Sequence, residues 1–113
     1  MATDFREPTA RQPLILRPGD DAWGPFAFSF ADSLPSGVLI SNAVVESYHA
    51  SGDSATLIEP DSESVTGDTE VQLLFQAGED ITAGNYYLRF ELALSNGGTK
   101  FFRFGPVKVE GWS

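Results

Sequence analysis

The sequence predicts an all-β domain, one antiparallel sandwich of about seven strands behind an extended N-terminal arm. Three observations predict it. Period-two alternation of apolar and polar residues runs through every patterned segment, and no stretch carries the three-to-four spacing of an amphipathic helix. Turn signals recur at roughly ten-residue intervals, the spacing of sandwiches and small barrels. The chain has 113 residues with 42% hydrophobic and 20% charged residues, an ordinary globular composition and about one domain in length.

The elements follow in order. Residues 1–12 have no pattern and read as a flexible arm, with no apolar stretch of the kind a secretory signal needs. The sandwich is expected over residues 13–110, with a tail at 111–113. Pro13 to Arg17 is a short apolar run opened by proline, which marks an edge strand. Pro18-Gly19-Asp20-Asp21 is a turn. In the next strand Phe26, Phe28 and Phe30 share one face, with Ala27 and Ser29 on the other. After the break at Leu34-Pro35-Ser36-Gly37, strict alternation over Leu39 to Tyr48 groups Ile40, Val44 and Tyr48 against Leu39, Ala43 and Val45. His49 to Ser54 reads as a loop, Ala55 to Ile58 as a short strand, and Pro60 to Asp68 as an acidic, serine-rich loop. Val71, Leu73 and Phe75 alternate with Gln72, Leu74 and Gln76 in another strand. Ala77 to Asn85 makes a corner.

The C-terminal third is the most regular. Tyr86, Leu88, Phe90, Leu92 and Leu94 form an inward face, with Tyr87, Arg89, Glu91, Ala93 and Ser95 outward. Asn96-Gly97 predicts a two-residue type I′ hairpin, whose central residues both take positive φ. The return strand, Thr99 to Val109, points Phe102 and Phe104 one way. Gly105-Pro106 then interrupts the ladder as a bulge or strand switch. Asp80 to Tyr86 occupies the place of a tyrosine corner, in which a phenol bonds back to the upstream backbone. That feature favours an immunoglobulin-like sandwich over a barrel. Tyr86 is equally readable as the first core residue of its strand.

Composition narrows function. The formal charge is −9, from 16 acids and 7 bases, so a basic nucleic-acid footprint is not expected. No Lys or Arg stands between Arg17 and Arg89, and that interval holds twelve acids. The layout reads as a solvated acidic surface, or as a molecule with one acidic and one mixed side. Cysteine is absent, which removes disulfides, thiolate metal sites and thiol nucleophiles. His49 is the one histidine. Its serine neighbours Ser47, Ser51 and Ser54 are what a loop contains in any case, so no nucleophile–base pair is expected. Asp20-Asp21 and the alternation Glu59, Asp61, Glu63 offer oxygen ligands, but not at the spacing of an EF-hand loop. No catalytic residues, cofactor or metal are therefore expected.

The outward residues carry a different signal. With Phe102 and Phe104 inward, Phe101 and Arg103 face outward beside Tyr87 and Arg89. Aromatics and arginine are enriched at protein contacts. The face is read either as an interface or as a surface covered by the arm or another strand. Phe5, Arg6 and Arg11 in the arm would supply a second contact.

Several segments together resemble a known group. They are Trp23, Leu34 with Val38 to Ile40, Gln72 to Gly78, Gly84 to Phe90, Ser95-Asn96-Gly97-Gly98 and Val107-Lys108-Val109. Over residues 14–110 they resemble the immunoglobulin-like structural domains of bacteriophages, above all the fibre–tail adaptor family. Pro18-Gly19-Asp20 before an aromatic strand is similar to the N-terminal domain of phage baseplate upper proteins. The resemblance implies a non-enzymatic virion protein made in the bacterial cytoplasm. Its partners would be tail, fibre or capsid subunits in a multimeric assembly, with no nucleic acid or membrane. A head-decorating cement protein is the alternative within that class. A carbohydrate-binding module, with Trp23 or Trp112 as the sugar platform, is the alternative outside it.

Overall fold

A computed structural model describes residues 14–111 of the chain. The expected arm at 1–12, with Phe5, Arg6 and Arg11, lies outside the described residues, as do Pro13 and Trp112. The described residues form eight strands: β1 (Ile15–Leu16), β2 (Trp23–Ser29), β3 (Ile40–His49), β4 (Ser54–Ala55), β5 (Ser64–Thr66), β6 (Glu70–Phe75), β7 (Gly84–Leu94) and β8 (Thr99–Val109). They form a five-stranded sheet in the order β1-β8-β7-β3-β4 and a three-stranded sheet in the order β2-β6-β5. Equating β2, β3, β5, β6, β7 and β8 with strands B, C, D, E, F and G reproduces the BED and CFG sheets of an immunoglobulin-like sandwich.

Burial of the alternating apolar faces holds the two sheets together. Phe28 and Phe30, from β2 and the residue after it, meet Phe90 of β7 at 5.2 and 5.1 Å between ring centroids. Phe30 also reaches Phe102 at 5.0 Å, and Phe28 reaches Phe104 at 5.1 Å, both on β8. Each fully buried side chain of this size contributes about 1.5–3 kcal/mol. With no cysteine in the chain, these aromatic contacts do the cross-sheet tying that a disulfide does in antibody domains.

Four expectations need correction. The sandwich is not wholly antiparallel, because β1 runs parallel to β8. That placement buries Leu14 and Leu16 against the seam, and their carbonyls accept from Lys108 and Glu110 N–H at 3.0 and 2.9 Å. In β3 the strict alternation fails, because the register shifts between Ile40 and Asn42. Ser41 is the extra residue, and its hydroxyl donates to the Ala93 carbonyl at 2.9 Å. The bulge puts Ile40, Ala43, Val45 and Ser47 inward and leaves Leu39 and Val44 exposed.

The third correction is at the β7–β8 hairpin, where only Gly97 has a positive φ, at 89°. Gly97 N–H donates to the Leu94 carbonyl at 3.0 Å and Leu94 N–H to the Gly98 carbonyl at 2.9 Å. The loop is therefore three residues with glycine in the left-handed position, not a two-residue type I′ turn. Fourth, the acidic segment Pro60 to Asp68 is not all loop, since β5 lies within it and pairs with β6. Three residues with one apolar side chain are too short for alternation to register.

The predicted interruption at Gly105-Pro106 is a bulge. Tyr86 pairs with Val107 and Leu88 with Phe104, so two residues of β8 oppose Tyr87 alone. The extra residue switches parity, which lets Phe102 and Val107 both face the core. The Gly105-Pro106 peptide is cis, as is Gly24-Pro25 in β2. Tyr86 satisfies both readings of its position: it is 4% exposed, and its hydroxyl donates to the Thr82 carbonyl at 2.5 Å.

Candidate interaction face

The outer face of the five-stranded sheet is built by the long strands β3, β7 and β8. Their pairing sets it out in rows, because residues directly opposite one another point to the same side. One row holds Tyr48 and Tyr87, the next Glu46, Arg89 and Arg103, and the next Val44, Glu91 and Phe101. Tyr87, Arg89, Phe101 and Arg103 thus share one surface. Sequence reasoning missed Glu46, Val44 and Tyr48 there, because the bulge at Ser41 shifts their parity. The serine beside a break in the apolar pattern was the available signal.

Ring and guanidinium contacts order this surface. Tyr48 and Tyr87 stack at 5.3 Å with 17° between planes. Arg103 lies over the Tyr87 ring at 4.0 Å. Arg89 reaches the rings of Tyr48 and Phe101 at 5.5 and 5.6 Å and pairs with Glu46. The Tyr48 hydroxyl donates to the same Glu46 oxygen at 2.8 Å. That hydrogen bond, followed by the one from Arg89, holds the Glu46 carboxyl below the usual carboxylate range. The same bond raises the Tyr48 phenol above its ordinary value, because it is made only while the phenol keeps its proton. Arg89 and Arg103 stand directly opposite, and their divergence toward different rings separates two like charges. Phe101 is 53% and Val44 44% exposed, the highest values among the large hydrophobics of the described residues. A depression of about 380 Å³ opens beside Arg103, lined by Asn85, Tyr87 and Pro106 among others.

Most of the acids between residues 20 and 80 lie elsewhere. Of the twelve in residues 20–80, only Glu46 and Glu70 lie in strands. The rest crowd the connections, so they repel and solvate the ends of the sandwich while the face stays mixed.

His49 is not in a loop but ends β3, half-buried, because its ring packs edge-on against Tyr86 at 4.9 Å. Its Nδ1 accepts from Ser51 N–H at 3.1 Å and lies 2.9 Å from Ser51 Oγ. Ser51 Oγ also donates to Asp53 at 3.3 Å. The hydroxyl stands between imidazole and carboxylate, whereas a nucleophilic triad needs the imidazole in the middle. Ser47 is buried and structural: its hydroxyl donates to the Ala55 carbonyl at 2.7 Å and accepts from Leu57 N–H at 3.1 Å. Asp20 caps the Arg17 N–H at 2.9 Å. Among the described residues no three acid or histidine groups converge on one point as metal ligands. Trp23 is 38% exposed and packs edge-on against Phe26 at 4.6 Å.

No protein-family model matches this chain, and neither does any curated protein or solved structure.

Proposed function

We propose that the chain is a non-enzymatic protein-binding module that docks through the outer face of its five-stranded sheet. The observation that carries this reading is the pair of guanidinium groups already laid on aromatic rings, Arg103 on Tyr87 and Arg89 between Tyr48 and Phe101. Large side chains held in place before docking lose little conformational freedom when a partner arrives. Arginine and tyrosine are also the residues that most often dominate binding energy. Exposed Phe101 and Val44 add apolar area on either side of Glu91.

The resemblance to phage fibre–tail adaptors supplies the setting: virion architecture, with a tail, fibre or capsid subunit as the partner. Pairwise co-expression with the products of the flanking genes tests both levels. Wild type is expected to co-purify with one of them. Phe101→Asp and Arg103→Glu are expected to lose that product while melting within a few degrees of wild type, since surface changes are near-neutral for stability. Retained binding by both folded variants overturns the choice of face. Flanking genes with no virion component overturn the setting. The exposure of Trp23 supports one further reading, a carbohydrate module, for which glycan binding would be lost in Trp23→Ala and kept in Arg103→Glu.

A further inference from the structure

The charges at the centre of the outer face balance, Arg89 and Arg103 against Glu46 and Glu91, on a chain whose formal charge is −9. Two such chains repel through most orientations, but this patch can approach its own copy without net repulsion. Only half of the set is satisfied internally: Glu46 pairs with Arg89. Among the described residues, Arg103 makes its contact with the Tyr87 ring and with no carboxylate. Glu91 likewise pairs with no cation among the described residues, and it sits half-buried between the exposed side chains of Val44 and Phe101. One unpaired cation and one unpaired anion on neighbouring strands of one face are what a two-fold contact needs, because a patch that meets itself must be self-complementary.

We infer that the face docks a second copy of this chain, with a two-fold axis lying between the two sheets so that Arg103 of each protomer meets Glu91 of the other. The inference rests on the outer face being a docking surface. Phe101 and Val44 would surround the paired charges and exclude water from them. Strands of ten or eleven residues at about 3.3 Å each, three abreast at about 4.8 Å, give roughly 500 Å² of sheet per protomer. That is below the 800 Å² or so per partner of a standard interface, so the dimer is a weak one.

Sedimentation velocity on the full chain, from about 10 μM to about 1 mM, tests this. Wild type is expected to show a monomer–dimer equilibrium in that range. Arg103→Glu and Glu91→Arg, each alone, face like charges across the axis twice and should weaken dimerisation by about tenfold or more. An equimolar mixture of the two variants regenerates both opposite-charge contacts in the mixed dimer. It should associate to within about threefold of wild type. Wild type that stays monomeric throughout, or a mixture no stronger than its separate components, overturns the inference. A monomeric wild type whose Arg103→Glu variant still loses a flanking-gene partner would leave the docking face standing and remove only the second copy as its occupant.

Discussion

The Tyr86 hydroxyl and the Thr82 carbonyl are joined by a 2.5 Å hydrogen bond that closes the corner before β7. Because Tyr86 is also 4% exposed, the bond is made in a partly dry setting, and its loss would leave the Thr82 carbonyl without that donor. Tyr86→Phe is expected to lower stability by about 1–2 kcal/mol at neutral pH, measured by urea denaturation.

The same residue sets a pH dependence. Burial raises the Tyr86 phenol above its ordinary value, so the folded state favours the protonated form. The contribution is fully present below the ordinary tyrosine range and is lost as pH rises through and above it. The stability gap between wild type and Tyr86→Phe should therefore narrow above about pH 10. A gap that widens there would contradict the assignment.

The β7 register is tested by neighbours. Phe90 is fully buried against Phe28 and Phe30, so Phe90→Ala should cost about 3–5 kcal/mol. Arg89 points outward, with an exposed ion pair to Glu46, so Arg89→Ala should cost no more than about 1 kcal/mol. The reverse order in chemical denaturation would mean a register slip of one residue.

Gly105 lies where the β8 bulge presses on β7. A Cβ there would stand 3.1 Å from the Tyr87 Cβ and 3.3 Å from the Tyr86 carbonyl oxygen. Gly105→Ala should destabilise the domain by about 1–3 kcal/mol. It should also perturb the Arg103–Tyr87 contact, visible as a change in tyrosine fluorescence.

His49 packs against Tyr86 and is bonded within its own turn. His49→Ala should cost about 0.5–1.5 kcal/mol from the lost edge-on contact. Partner binding by the outer face should be unchanged in a pull-down, because Tyr86 points to the core and Tyr87 to the surface.

Local pattern alone carried the all-β class and the inward faces of β2, β6 and β7; at Tyr86 it left a corner or a first core residue, and at Gly105-Pro106 a bulge or a strand switch, which the Tyr86–Thr82 bond and the β7–β8 register resolved. The faces rest on period-two patterns, whereas a Gly-Pro break or a strand-opening Tyr has more than one local meaning. Local pattern also placed Tyr87, Arg89, Phe101 and Arg103 outward, because their strands alternate without a break between the corner and the bulge. What surrounds them depends on pairing between distant strands. Glu46, Val44 and Tyr48 join that face through pairing between β3 and β7, residues some forty positions apart, after a one-residue bulge that Ser41 satisfies with its own hydroxyl. Parallel addition of β1 to β8, and the pairing of the three-residue β5, were likewise beyond local pattern. Strands that short gain their stability from the neighbour they join, and the neighbour is chosen by the packed sandwich.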